Sequence, residues 1–283
     1  MRSMPGPVAV ITDSTACLPA PVAERWGIGV VQVQLQVGEQ FDEENRYDRE
    51  EIIGHLRAGT PVKTAPPEVA AFFWAFQDAA SKGASAIVSV HISGRMSETV
   101  NAAREAAQQV NVPVHVLDSG TTGMSLGFAA TSAAKVAAAG GQATRVIDAA
   151  ERRFRGSREI LYVDTLEFLR RGGRIGAAQA FLGSAFSIKP LLTLKNGEVA
   201  PLTRVPGQRR ALNKLVDLAV ECAGDRDVEV AITRFGPDER DLEIGGRLRA
   251  RLPHMVDSTL VDASMILGAH LGPGAIGITV SPV

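Results

Sequence analysis

Three apolar runs end in small hydroxyl or acidic residues at the point where a helix is expected to begin. They are VAVITDST (residues 8–15), AIVSVHIS (86–93) and VPVHVLDS (112–119). Apolar runs of this length, each followed by a helical pattern, indicate βα units and a parallel sheet. The carboxyl ends of parallel strands meet at one edge, where free helix N–H groups favour anions, so the pattern predicts an anion site at that edge.

The first half of the chain alternates strand and helix patterns. Apolar alternation predicts β-strands over residues 8–12, 29–35, 86–92 and 112–117. Helical periodicity predicts helices over residues 19–26, 49–58, 67–81, 97–109, 122–139 and 143–154. This alternation predicts a largely parallel sheet with helices on both faces.

The second half of the chain has a different pattern. Asn196-Gly197 is typical of a β-hairpin turn, here between strands over 191–194 and 199–205. Other strands are predicted over 160–163, 228–234, 256–261 and 275–280. One short helix is predicted to end at Gly172, and further helices are predicted over 176–186, 207–222 and 238–251. We therefore expect a two-domain α/β protein, with a largely parallel N-terminal domain (residues 1–157) and a mixed α/β C-terminal domain (158–283).

Composition argues against several classes of function. The 30 basic residues balance 31 acidic ones, so there is no electrostatic reason to expect nucleic acid as a partner. Two isolated cysteines, Cys17 and Cys222, support neither a disulfide framework nor a zinc cluster. No uncharged run reaches the roughly 18 to 20 residues of a membrane span and no secretory signal opens the chain, so we expect a cytoplasmic protein that is not integral to a membrane.

Polar residues at the predicted strand ends are the first candidates for the anion site. Six of them are predicted as polar residues of a pocket: Asp13, Ser14, Thr15, Ser93, Asp118 and Ser119. The alternative is structural, because short polar side chains commonly satisfy the free N–H groups at helix starts.

Two loops carry further hydroxyl groups. Thr64 lies in KTAPP (63–67), whose prolines keep the backbone extended, although a simple proline-stiffened turn would have the same sequence. Ser97 lies in SGRMSET (93–99), where the helix dipole would favour a ligand oxygen over the helix N–H groups. Ser97 or Thr99 could instead cap that helix.

Cationic groups occur in two glycine-rich segments. Arg170, Arg171 and Arg174 surround a glycine pair and suit a carboxylate or phosphate, although arginine near a helix end also compensates the dipole. His270 lies in a predicted glycine-rich loop (268–277), where it could donate to a carboxylate or be ordinary polar surface. The other histidines lack metal-ligating spacing. The residues alone predict an anion site without identifying the anion.

Seven segments in this order resemble the DegV family, the bacterial fatty-acid-binding proteins that carry the acyl group for fatty acid kinase. They are Asp-Ser-Thr (13–15), Lys-Thr-x-x-Pro (63–67), Ser-x-x-x-Ser-x-Thr (93–99), Asp-Ser (118–119), Arg-Gly-Gly-Arg-Ile (171–175), Ile-Lys-Pro (188–190) and His-x-Gly-Pro-Gly-Ala-x-Gly (270–277). No single segment is decisive, but together they span nearly the whole chain.

The resemblance implies a carrier with no catalysis and no cofactor or metal of its own. A long-chain fatty acid would lie with its tail in an apolar tunnel and its carboxylate at the domain interface, bound by Thr64 and Ser97 with His270 in the same polar network. Arg174 would lie beside the head group. The catalytic subunit of fatty acid kinase would be the partner that phosphorylates the acid to an acyl phosphate and supplies ATP and metal.

The chain departs from the family pattern at several positions. Changes in the two loops, such as Ala65 and Glu98, leave the hydroxyls of Thr64 and Ser97 in place. Pro206 stands where the family commonly has an arginine credited with partner contact, a change that bears on kinase docking.

The residues also allow a second function of a different class. A small-molecule phosphate-ester enzyme would use Asp13, Ser14, Arg174 and His270 as its polar cluster. The sequence has no nucleotide-binding loop or metal cluster to support it.

Overall fold

The computed structural model describes residues 6–183, 187–236 and 239–283. Its strands are β1 (Val8–Asp13), β2 (Ile28–Val31), β3 (Gln34–Val37), β4 (Gln40–Glu43), β5 (Val62–Ala65), β6 (Ala86–His91), β7 (Val114–Asp118), β8 (Arg158–Tyr162), β9 (Ile188–Lys195), β10 (Glu198–Pro206), β11 (Val228–Arg234), β12 (Met255–Asp262) and β13 (Ile276–Pro282). Its α-helices are α1 (Ala20–Trp26), α2 (Arg49–Arg57), α3 (Val69–Ser81), α4 (Thr99–Ala107), α5 (Gly123–Ala138), α6 (Ala143–Gly156), α7 (Glu167–Arg171), α8 (Gln208–Ala223), α9 (Arg240–Arg251) and α10 (Met265–Leu271).

Four strands form the parallel sheet that the alternating pattern predicts. Their order is β2-β1-β6-β7, and each neighbouring pair is parallel. Strand β2 lies on one side of β1, and β6 lies on the other side. The connections that follow β1 and β2 therefore run in opposite directions, and a crevice opens between them at the carboxyl edge of the sheet. The prediction of a parallel sheet is confirmed.

Helices cover both faces of this sheet because its strands are apolar on both sides. Helices α1, α5 and α6 pack on one face against Val10, Val88 and Val90. Helices α3 and α4 pack on the other face against Ile11 and Ile87. Every residue of β6 is buried, as expected for the centre of a covered sheet.

Six strands form a mixed sheet in the order β10-β9-β8-β13-β11-β12. Strands β11 and β12 are parallel, and the other neighbouring pairs are antiparallel. The predicted hairpin joins β9 to β10, with φ of 53° at Asn196 and 80° at Gly197, as its turn type requires. Helices α8 and α9 cover one face, and α5 approaches the other. The prediction of a mixed C-terminal α/β unit is confirmed.

A third, small sheet does not follow from the sequence pattern. Strand β3 pairs antiparallel with both β4 and β5. The prediction of one strand over 29–35 is wrong, because the chain changes sheets between Val31 and Gln34 although the apolar alternation continues through this point. Leu35 packs in one cluster with Ile52, Ile53 and Ile266, so the third sheet is attached to the second half of the chain.

His270 lies on a helix rather than in the predicted loop. Helix α10 begins after Ser264, whose Oγ accepts a hydrogen bond from the Leu267 N–H at 3.3 Å. Residue 268 lies inside this helix and has to be a glycine, because the ring of Phe235 occupies the space that a side chain would need. Glycine here reflects close packing rather than loop conformation.

Two further predicted helices have different bounds in the structure. The helix predicted over 176–186 is a 3-10 helix over Gly176–Phe181, and residues 184–186 lie outside the described residues. Residue 238 of the helix predicted over 238–251 also lies outside them, and α9 begins at Arg240.

The strands of the parallel sheet come before residue 157 and those of the mixed sheet come after it. Helix α5 and the third sheet, however, precede this point and pack against elements that follow it. The domain boundary between residues 157 and 158 therefore stays a prediction.

Asp13 is the centre of a buried hydrogen-bond network between β1 and β6. Its Oδ1 accepts from the N–H and the hydroxyl of Thr15, at 3.0 and 2.5 Å. Its Oδ2 accepts from the Ile92 N–H at 3.0 Å and lies 3.0 Å from His91 Nδ1. The His91 Nε2 lies 2.6 Å from Ser89 Oγ. This Ser–His–Asp chain is 0% exposed at each member, so no substrate can reach Ser89.

We expect Asp13→Ala to lower the free energy of unfolding by roughly 3 kcal/mol or more, because several buried partners lose their acceptor together. Urea denaturation followed by circular dichroism measures this loss. The matched control is Asp118→Ala, which removes an exposed acceptor at the end of β7 and should cost roughly 1 kcal/mol or less. Equal losses in the two variants would contradict the structural importance of the network.

Candidate functional site

A pocket lies between the carboxyl edge of the parallel sheet and one face of the mixed sheet. It holds about 990 Å³ of empty space, including its open mouth. Thr15, Val33 and Ile92, which follow β1, β2 and β6, form part of its wall. The wall is mostly apolar, with contributions from Met96, Leu161, Leu169, Leu194, Val199, Phe235, Ile266, Leu267 and Leu271. All three sheets and helix α10 therefore enclose one apolar space.

Thr64 and His270 meet at the mouth of this pocket. Thr64 Oγ1 lies 2.9 Å from His270 Nε2, although the two residues are 206 positions apart in the sequence. The pairing of β5 with β3 places Thr64 opposite Leu35, and α10 carries His270 in its last turn. Both residues also line a second cavity on the outside, here called the outer groove. The Thr64–His270 pair thus separates the apolar pocket from the outer groove.

The ring of His270 is packed against the backbone of Gly172. A Cβ at this position would clash with His270 Nδ1, so the close approach requires glycine. Burial, and to a smaller extent the positive charge of Arg174, lower the pKa of His270 to about 4. The imidazole is therefore neutral at pH 7. With its proton on Nε2, the ring donates to Thr64 Oγ1 and leaves the threonine proton available for an anion.

Ser97 lies at the start of α4 and also lines the apolar pocket. Its Oγ lies 2.8 Å from Thr99 Oγ1 and accepts from the Thr99 N–H at 3.3 Å, at the start of α4. The same side chain lines the apolar pocket. Ser97 therefore presents a hydroxyl to the pocket from a turn that the helix start keeps in place.

The outer groove is basic. Lys63, Arg171 and Arg174 line it together with Thr64 and His270. Arg174 donates from Nε to the Met96 carbonyl at 3.1 Å and from Nη1 to the Gly172 carbonyl at 2.8 Å. These two bonds hold its guanidinium beside the mouth of the pocket, where it would attract an anionic group.

The structure does not place five of the six predicted strand-end residues in the pocket. Asp13 belongs to the buried network, and Ser14 Oγ accepts from the Val33 N–H at 3.1 Å. Ser93 Oγ donates to the Gly197 carbonyl at 2.7 Å, and Ser119 Oγ donates to the His91 carbonyl at 2.6 Å. Asp118 Oδ1 accepts from two backbone N–H groups on the surface.

These five side chains satisfy local backbone groups, which is the structural alternative that the sequence leaves open. Of the six, Thr15 lines the pocket. The cluster needed for a phosphate-ester enzyme is also separated, since Asp13 and Ser14 lie outside the pocket that Arg174 and His270 line.

Four polar residues of the pocket are absent from the sequence prediction. Thr122 precedes α5, Glu159 lies on β8, and Thr233 and Arg234 end β11. Only Glu159 has a recognisable sequence feature, because it is an acidic residue next to the apolar run ILYV (160–163). Residues at a strand start are commonly exposed, however, so this feature does not predict a place in a pocket. Which strand face is covered is a tertiary property, and the pattern does not contain it.

No three His, Cys, Asp or Glu side chains in the described part of the chain cluster as metal ligands would. No described helix combines the length and apolar character that a membrane crossing requires.

Comparison with known proteins relates this architecture to one family. The family model described as "Uncharacterised protein, DegV family" matches residues 7–283. A DegV domain-containing protein of Streptomyces coelicolor is 40% identical over 275 residues, which cover 97% of this chain and 98% of that protein. A DegV domain-containing protein of Deinococcus radiodurans is 33% identical, with 98% of this chain and 99% of that protein covered.

Two solved structures are similar over their full length. A DegV family protein from Thermus thermophilus, described as binding fatty acid, has a TM-score of 0.90 and 28% identity, and the match covers 98% of this chain and 100% of that one. DegV from Bacillus subtilis, described as a fatty acid binding protein, has a TM-score of 0.88 and 27% identity with the same coverage of both chains.

The lowered pKa of His270 predicts a pH-dependent stability in the ligand-free protein. Between pH 6.5 and about 4 the unfolded chain binds a proton that the folded chain does not. Stability should therefore fall as the pH decreases through this window and level off below it. One pKa unit corresponds to ~1.4 kcal/mol, so the loss is on the order of 3 kcal/mol.

Urea denaturation between pH 4 and pH 7 measures this loss. His270→Gln should flatten the profile, whereas His115→Gln, at an exposed position on β7, should leave it as in the wild type. A profile that stays unchanged in His270→Gln would contradict the assigned environment of the ring.

Proposed function

Because this chain belongs to the DegV family, we propose that it binds a long-chain fatty acid whose tail fills the apolar pocket and whose carboxylate lies at Thr64, Ser97 and His270. The observation that carries this proposal is the Thr64–His270 pair, a hydrogen-bonded polar group at the mouth of a mostly apolar space. Fatty acid binding by the related proteins from Thermus thermophilus and Bacillus subtilis supports it.

The tail and the head group have different roles in this proposal. Burial of a methylene group contributes ~0.8 kcal/mol, so a chain of about 14 to 16 methylenes offers on the order of 11–13 kcal/mol before the costs of ordering. The carboxylate adds little net affinity, but its burial without donors would be costly. Hydroxyl groups at Thr64 and Ser97 and the charge of Arg174 offset that cost and determine which end of the ligand enters last.

The position of the head group allows access from outside. Thr64, Arg174 and His270 line both the apolar pocket and the outer groove, so a carboxylate bound there would face the groove. We propose that a separate kinase subunit docks at this groove and transfers a phosphoryl group from its own ATP to the carboxylate oxygen, which forms an acyl phosphate and ADP. The chain described here would act as carrier, with Arg174 beside the newly charged group.

Pro206 bears on the docking of this kinase. It ends β10 at an exposed position, where the family commonly offers an arginine to the partner. Proline supplies no cation and no N–H donor, so docking of a kinase to this chain would depend on other basic groups, such as those of the outer groove.

A direct experiment tests the fatty acid. Protein purified from a bacterial host is extracted with organic solvent, and the extract is analysed by mass spectrometry. We expect a long-chain fatty acid in near-stoichiometric amount. Protein that yields no lipid, and that gives no thermal shift with fatty acids of 12 to about 20 carbons after delipidation, would contradict the proposal.

The head-group assignment predicts specific losses of affinity. Thr64→Val and Ser97→Ala should each weaken fatty acid binding by roughly 1–3 kcal/mol, because a buried carboxylate loses a donor. Calorimetric or fluorescence titration measures the loss. Thr203→Val, on β10 and outside the pocket lining, is the matched control and should bind as the wild type does.

Arg174→Ala separates presentation from binding. Since the Arg174 guanidinium is exposed and is held by two carbonyl groups, its loss should weaken binding less than Thr64→Val does. In the presence of a fatty acid kinase subunit and ATP, however, the variant should form little acyl phosphate. Normal acyl phosphate formation by Arg174→Ala would remove this residue from the phosphorylation step.

A further inference from the structure

The start of helix α10 is held by side chains from a distant part of the chain. The Met265 N–H donates to Glu44 Oε1 at 2.5 Å, and Arg49 Nη1 donates to the Ala263 carbonyl at 2.6 Å. The partners in these two contacts are 221 and 214 positions apart in the sequence. Glu44 and Arg49 line neither the apolar pocket nor the outer groove, so they would not touch a ligand in either space.

Glu44 is buried in an environment that is unfavourable for a carboxyl group. It is 6% exposed, and its Oε2 has no hydrogen-bond partner among the described residues. Ser264 already caps α10, so the start of the helix does not need a buried glutamate as its cap. Burial of a half-satisfied carboxyl group costs stability. A role in positioning α10 therefore explains this contact better than a gain in stability does.

Apolar contacts hold α10 against its neighbours but do not fix its exact position. Ile266 and Ala269 on α10 pack in one cluster with Leu35 and Ile53. Such contacts have no preferred direction, whereas a hydrogen bond requires a particular distance and angle. The two hydrogen bonds at the helix start therefore determine where α10 begins and how it is oriented on its apolar neighbours.

The segment that holds α10 also carries Thr64. Glu44 follows β4, Arg49 begins α2 and Thr64 lies on β5, so all three belong to residues 34–65. His270 lies in the last turn of α10, about 7.5 Å along the helix axis from its held end. One segment thus supplies Thr64 and also holds the helix that supplies the partner of Thr64.

We propose that Glu44 and Arg49 are positioning residues of the head-group site, which hold the start of α10 so that His270 Nε2 stays within hydrogen-bond distance of Thr64 Oγ1. Without these contacts α10 can shift on its apolar neighbours, and the Thr64–His270 pair then forms in a smaller fraction of the molecules. The effect on fatty acid binding rests on the proposed function, whereas the effect on the His270 ring needs no ligand.

The first test follows the His270 ring in the ligand-free protein. The chain has five histidines, and NMR of protein labelled with ¹⁵N-histidine resolves their titrations, with the His270 signal identified by its loss in His270→Gln. The His270 pKa should be about 4 in the wild type. The charged groups that line the groove around this ring are Lys63, Arg171 and Arg174, and the variants below retain all three.

Glu44→Met removes the acceptor and keeps a side chain of similar length. Release of α10 exposes the His270 ring, so the His270 pKa should rise from about 4 towards its ordinary value of 6.5. Glu44→Gln keeps an oxygen that accepts from the Met265 N–H and should titrate as the wild type does. A His270 pKa of about 4 in folded Glu44→Met, or a raised pKa in Glu44→Gln, would overturn the role of Glu44.

Arg49→Met tests the second contact in a half-buried position, where the substitution should leave the chain folded. It should raise the His270 pKa as Glu44→Met does, and it decides the inference if Glu44→Met fails to fold. The matched control is Glu51→Met, which removes a carboxyl group from an exposed position on α2 and should leave the His270 pKa unchanged. An unchanged His270 pKa in Arg49→Met, or a raised one in Glu51→Met, would overturn the role of Arg49.

The second test measures fatty acid affinity by titration of the delipidated, folded variants. If the Thr64–His270 pair forms in about one molecule in ten, Glu44→Met and Arg49→Met should each bind about tenfold more weakly than the wild type. Glu44→Gln and Glu51→Met should bind as the wild type does. Wild-type affinity in a variant with a raised His270 pKa would overturn the link to binding. Failure of the wild type itself to bind would contradict the proposed function, and the His270 titrations would still decide the positioning role.

Discussion

A carboxylate cannot enter an apolar space unless donors meet it there, and under the proposed function the Thr64–His270 hydrogen bond is where this chain would meet that constraint. Neither Thr64 nor His270 alone forms this polar group, and the two residues come from different parts of the fold. Thr64 is supplied by the small third sheet, and His270 is supplied by a short helix that Ser264 caps. Gly172 allows the ring to approach, and Arg174 is held beside it by two carbonyl groups. The positions of α7, α10 and the third sheet all converge on this one contact.

Much of the architecture follows from short-range physics. The parallel sheet follows from nearly continuous apolar runs, and the β9–β10 hairpin follows from Asn196-Gly197. The third sheet does not, because β2 and β3 form a single alternating run and the change of sheet between them depends on distant pairing partners. The sequence pattern also fails to predict helix α10, because the reason for its glycine lies in a distant contact. Gly268 taken alone is typical of a loop. In the structure a glycine is required at this position because the ring of Phe235, which is distant in the sequence, packs against it.

The sequence predicts part of the pocket, as it predicts part of the fold. The pattern and the resemblance together select Thr64, Ser97, Arg174 and His270, and the structure brings these four to one pocket. Local chemistry does not distinguish them from Asp13, Ser14, Ser93, Asp118 and Ser119, since all are short polar groups near strand or helix ends. The difference lies in how many backbone groups near each side chain lack a partner, and only the folded chain determines that number. Glu159 and Thr233 were missed because a strand sequence does not say which face meets a cavity.

The pocket wall is drawn from all three sheets, so whatever occupies it becomes part of the protein's own interior. An empty space of this kind removes packing contacts from every element around it. A bound molecule restores them and stabilises the folded chain in proportion to its concentration relative to its dissociation constant. The susceptibility of this chain to proteolysis, and with it the cellular lifetime, would then follow the supply of its ligand.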